Sequence, residues 1–108
     1  MIQRLEVQIE AEADDNLFEI WMFIVESSGN EKIADTFIER IRERCFRIGD
    51  IPRQGKPRDD LYQGLRTIPF ERSAVIAYLI DGDMVRITNI FYGGRDFEAL
   101  FGSELVTS

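Results

Sequence analysis

The chain has 108 residues, 44% of them apolar, and its twenty acids against thirteen bases leave a net charge of −7. That length suits one domain with a two-layer core, and the charge opposes non-specific attachment to nucleic acid, whose affinity comes from neutralised phosphates. The sequence has no histidine, the commonest general base and metal ligand near neutral pH, and one cysteine, Cys45, which excludes an intrachain disulfide. The N-terminal residues lack a basic region followed by an apolar core, so no secretory signal is read there. No apolar run, residues 20–25 included, approaches the roughly 20 residues that span a bilayer. A cytoplasmic protein in a reducing compartment is expected.

Residues 2–10 alternate apolar and polar side chains and predict a first strand. Asp14, Asp15 or Asn16 suits the cap of a helix running to about Ser27. Its apolar residues include Leu17, Phe18, Ile20, Trp21, Phe23, Ile24 and Val25. They cover a wider arc than contact with a sheet requires, which leaves some for the next helix or for a partner. Ser28, Gly29 and Asn30 end this helix, and a second runs over residues 31–48, with Ile33, Phe37, Ile41, Arg44 or Cys45, and Ile48 on its apolar stripe. The short link predicts an antiparallel hairpin of the two helices. Residues 49–60 hold Pro52, Gly55 and Pro57 among bases and amides and read as a linker. Strands follow at 61–69, 74–80 and 84–91, the last two joined by a turn at Asp81, Gly82 and Asp83 whose length the sequence leaves open. The 74–80 strand is apolar nearly throughout, which places it centrally in the sheet.

The candidates for chemistry cluster in the second half. Arg66 follows Gly64 and Leu65, and Arg95 follows two glycines, which permit close approach of another chain. Arginine's planar fork suits carboxylate or phosphate, so Arg58, Arg66, Arg86 and Arg95, with Asp96, are candidates for docking a partner. Trp21 on the broad apolar face and Tyr92 beside Gly93 join them, each weighed against an ordinary packing role. A tyrosine base needs a large fall from its usual value of about 10, and nothing in the sequence supplies one. No nucleophile elbow, phosphate loop or metal-ligand spacing is present, so no cofactor and no metal are expected.

Gly55-x-x-Arg58, Leu61-x-x-Gly64-Leu65-Arg66, a strand bearing Tyr78, Val85-x-Ile87 and Gly93-x-Arg95-Asp96 with Leu100 follow a helical hairpin in that order. Together they resemble the ParE-like toxins of the ParE/RelE toxin superfamily over about residues 3–101. The resemblance implies an α+β fold: an N-terminal strand, then an antiparallel helical hairpin packed on a curved, mainly antiparallel sheet, all within a single domain spanning 1–108. It implies the toxin of a type II toxin–antitoxin module, of the kind linked to plasmid stabilisation, that binds a protein target such as DNA gyrase and is neutralised by a cognate antitoxin. A homodimer or a toxin–antitoxin hetero-oligomer is implied, without direct DNA binding by this chain and without a membrane. The alternatives are a ribosome-dependent messenger-RNA endonuclease of RelE type, using Arg66, Tyr92 and Arg95 with Glu71, or a non-toxic interaction domain. The sequence departs from the family pattern at Tyr92, where histidine is usual, and at Asn89, where arginine is common.

Overall fold

The sheet grows around the nearly all-apolar 74–80 stretch, in a computed structural model that describes residues 4–93. We number its strands β1 (Glu6–Ile9), β2 (Lys56–Pro57), β3 (Arg66–Phe70), β4 (Ala74–Asp81) and β5 (Met84–Tyr92). β4 and β5 pair antiparallel, and the Asp81↔Met84 register makes their turn two residues long, Gly82 and Asp83. Gly82 at its first position has φ +61°, where a β-carbon would be strained. β3 and then the short β2 add antiparallel beyond β4, and β1 adds parallel to β5, giving the order β1-β5-β4-β3-β2. β4 is therefore central, as its composition predicts.

Two helices, α1 (Ala11–Ser28) and α2 (Glu31–Arg47), pack on one face. α1 buries Ala13, Leu17, Ile20 and Ile24, and α2 buries Ala34, Phe37, Ile41 and Cys45, each a row at helical spacing. They meet Ile68, Phe70, Ile76, Tyr78, Val85, Ile87 and Ile90 from the sheet in one cluster. Gly29 (φ +68°) closes α1 with its N–H on the Val25 carbonyl, and the Asn30 side chain accepts from the Lys32 and Ile33 amides to cap α2. Hence two residues suffice to reverse the chain.

Several expectations need correction. β1 begins at Glu6 rather than Ile2, and residues 1–3 lie outside the described residues. α1 begins at Ala11 with Glu10 at its cap position and no side-chain cap, so Asp14, Asp15 and Asn16 sit inside the helix. Asn16 does other work. β1 leaves β5 after Ile87, and the Asn16 side-chain Oδ1 accepts from the Ile90 amide at 3.0 Å, where no strand continues. Ile33 is 52% exposed, because the buried row of α2 starts one residue later at Ala34. Residues 61–65 are not strand: Arg58, Leu61, Tyr62 and Leu65 exchange turn hydrogen bonds, and Gly64 has φ +83°. That fold lays Leu61 and Leu65 on Ala77, with Leu79 and Phe91, as a second small core on the sheet face away from the helices.

The β3–β4 turn carries strain. Glu71 and Arg72 have φ +48° and +61°, and the Ser73 amide closes on the Phe70 carbonyl at 3.1 Å. A left-handed conformation costs a non-glycine residue about 1–2 kcal/mol. Glu71 is held there by a two-pronged pair with Arg40 of α2, both contacts at 2.8 Å, while the Arg40 guanidinium lies over the Phe37 ring. Arg72→Gly should raise stability by about 0.5–1 kcal/mol, since relief of the left-handed penalty exceeds part of the entropy that glycine adds to the unfolded chain. Urea unfolding of the two proteins measures the difference.

Candidate interaction surface

The arginine-rich end of the sheet is organised by Tyr78. The β4–β5 register shifts between Ala77 and Tyr78, and the Tyr78 ring is fully buried under the linker that follows α2. Its hydroxyl donates to the Pro52 carbonyl at 2.7 Å and accepts from the Gly55 amide at 2.9 Å. Burial raises its pKa above the usual phenol value, so it stays protonated and holds both bonds. Gly55 is required here, because a β-carbon would stand 2.5 Å from that hydroxyl. Arg66, opposite Tyr78 in the β3–β4 register, donates from Nη1 to the Arg53 and Gly55 carbonyls at 3.0 and 2.8 Å. Arg44 of α2 donates to the Gln54 side chain at 2.8 Å. Two guanidinium groups, of Arg44 and Arg66, therefore brace a short segment that itself carries the exposed Arg53. None of the three forms an ion pair among the described residues.

Other expected site residues are already engaged. Arg58 holds Asp60 through two contacts at 3.0 and 2.8 Å, and that hydrogen bonding keeps the Asp60 carboxyl below the usual carboxylate range. Arg86 donates to Glu10 at 2.6 Å and to Asp81 at 3.0 Å, and the pairing raises its pKa further. Trp21 donates from Nε1 to Asp35 at 2.7 Å and stacks on Phe18, joining α1 to α2. Tyr92 lies edge-on to Phe23 and Phe37, with ring centroids 5.6 and 5.4 Å apart. Arg95 and Asp96 lie outside the described residues.

The structure does not bring the expected nuclease residues together. Tyr92 pairs with Ala74 and Arg66 with Tyr78, positions four residues apart on β4, or about 13 Å along the strand. Glu71 is bound to Arg40. Cys45 is fully buried and its thiol is pushed up to about 12 by desolvation, so it stays neutral. Sequence reasoning missed Arg44 and Arg53 as members of the cluster. Arg53 sat in the basic linker, but only the fold brings α2 against it.

The sequence matches the family described as "ParE toxin of type II toxin-antitoxin system, parDE" over residues 7–97. The chain belongs to the ParE toxin family. No protein of curated function matches it. Among solved structures it is similar to a chain of the "Chromosomal ParDE TA system from P. aeruginosa", with 21% identity and a TM-score of 0.73, covering 83% of this chain and 97% of that one. At that identity the likeness speaks for the fold, two helices on a mixed five-stranded sheet. Among the described residues, no helix of this ParE-family chain is long and apolar enough to cross a membrane.

Tyr78→Phe should cost about 1–3 kcal/mol, because it strands the Gly55 amide and the Pro52 carbonyl without replacing the hydroxyl. Chemical denaturation measures it, and amide exchange should quicken at Gly55. The Glu71 pair predicts an acid response. Its hydrogen bonds to Arg40 lower the carboxyl below its usual 4.5, so its contribution is complete above that value and is lost as pH falls through the lowered one. Glu71→Gln should therefore flatten the fall of melting temperature on acidification below about pH 4.5. Melting curves across that range read the slope.

Proposed function

We propose that the chain is a toxin acting by protein binding, with DNA gyrase as its target, and that a cognate antitoxin neutralises it. The observation supporting this reading is that Arg44 and Arg66 brace a segment locked by Tyr78 and bearing the exposed Arg53, and none of the three forms an ion pair among the described residues. A preorganised cationic surface favours capture of an acidic segment, since little ordering entropy remains to be lost on binding. It replaces the broader set of arginines suggested by sequence, because Arg58 and Arg86 already hold carboxylates. Against RNA cleavage stand the lack of histidine and the separation of Arg66 from Tyr92 and Glu71.

Expression of the chain alone should arrest growth and inhibit supercoiling by purified gyrase, and co-expression with the adjacent small reading frame should relieve both. Arg53→Glu, at an exposed position, should weaken the antitoxin complex about tenfold with a smaller salt dependence. Isothermal titration reads the affinity. Cleavage of messenger RNA on translating ribosomes, with gyrase unaffected, would overturn the reading in favour of the RelE type.

A further inference from the structure

The outer face of α1 is apolar where a helix on a sheet is usually polar. Phe18 is 61% exposed and Met22 40%, one turn apart, with Val25 a further turn along the same side. Trp21 supports them. Its ring is nearly parallel to Phe18, 9° between planes and 6.3 Å between centroids, and its own position is fixed by the hydrogen bond to Asp35. Two aromatic rings are thus held in place at the surface with little rotamer freedom left to lose.

The charges beside this row are all of one sign. Asp15, Glu19 and Glu26 follow one another at i, i+4 and i+11, three turns of one helix side, directly alongside Phe18 and Met22. α1 contains no lysine or arginine, and none of these three acids forms an ion pair among the described residues. Asp14, on the α2 side, is by contrast paired with Arg42. A second copy docking by the same face would set acid rows against each other, and an anionic bilayer would be repelled. The complement is an amphipathic helix with an apolar stripe and flanking lysines or arginines.

We propose that the outer face of α1 is a docking surface for a basic amphipathic helix of a partner protein, with Phe18, Trp21 and Met22 as anchors and Asp15, Glu19 and Glu26 as the charged rim. α1 has 18 residues, so it offers a track of about 27 Å. An interface of that length lies at the small end of specific contacts. This surface is separate from the Arg44, Arg53 and Arg66 cluster and of opposite charge, so the inference stands or falls apart from the toxin reading.

Trp21 is the sole tryptophan and serves as the reporter. The full chain is titrated with two synthetic 20-residue helical peptides sharing one leucine stripe, one carrying lysines and the other glutamates on its flanks. The lysine peptide should shift Trp21 emission saturably, and the glutamate peptide should not. Phe18→Ala with Met22→Ala, both at exposed positions, should weaken lysine-peptide binding at least about tenfold at unchanged charge. Glu19→Lys with Glu26→Lys should transfer the preference to the glutamate peptide. Binding untouched by the alanine pair would mean non-specific charge attraction and overturn the proposal. Equal binding of both peptides, or none, would do the same. So would self-association of the free chain in sedimentation that the alanine pair abolishes, since the face would then belong to a second copy.

Discussion

One buried hydroxyl holds the arginine-bearing end of this molecule together. The 52–55 segment makes few backbone contacts of its own, yet it carries Arg53 and receives Arg66 and Arg44. Tyr78 satisfies an amide and a carbonyl of that segment at once, from the central strand of the sheet. A buried group that both donates and accepts is costly to remove, since each partner would be left without water or a substitute. The dependence runs in order: the irregularity after Ala77 aims the ring, the ring fixes Pro52 and Gly55, and their carbonyl neighbours fix Arg66. The position of the cationic cluster is therefore set by packing inside the sheet rather than by the loop that displays it.

The same logic explains how an acidic protein presents a basic surface. Arg4, Arg40, Arg42 and Arg86 hold Asp50, Glu71, Asp14 and Glu10 across elements of the fold, and Arg58 holds Asp60 within its loop. Exposed pairs of this kind add little stability individually, so their main consequence is which charges remain. Among what remains, α1 carries Asp15, Glu19 and Glu26 with no base, while Arg53 and Lys56 lie in the linker that Arg44 and Arg66 brace. Charge is screened within about 8 Å at physiological salt, so a partner at contact range senses these patches and hardly the total of −7.

The elements whose residues touch one continuous surface were legible in the sequence. β4 reads as central because both its faces are covered, and α2 reads as amphipathic because one side alone is. The hairpin of helices, the strand order's antiparallel part and the need for a tight turn after Asp81 follow from local spacing. Residues 61–65 were misread because Leu61 and Leu65 are apolar in a way that suits a strand, whereas they cover the far face as a folded loop. The start of α1 was misread because its cap lacks a side-chain bond, and Asn16, the best capping residue nearby, is needed to satisfy β5. Among the arginines at the linker, Arg66 stands out in the sequence by its glycine context, but Arg44 comes to the same segment only through the tertiary fold. Nothing local to Arg86 announces Glu10, which stands 76 residues earlier.

Each residue of the family resemblance that falls within the described residues has a structural duty. Gly55 admits the Tyr78 hydroxyl, the Arg58 amide closes on the Leu65 carbonyl, and Gly64 takes a left-handed conformation. Leu61, Leu65, Val85 and Ile87 are buried. The signature is thus a folding signature. It accounts for a backbone shared at a TM-score of 0.73 with only 21% identity, because those duties constrain the interior and leave the surface free. Phe18, Met22, Arg44 and Arg53 lie outside the signature, on helix and linker surfaces whose side chains the fold does not dictate. Partner choice within such a family can therefore change by substitution at those positions while the sheet, the hairpin and the Tyr78 bridge stay as they are.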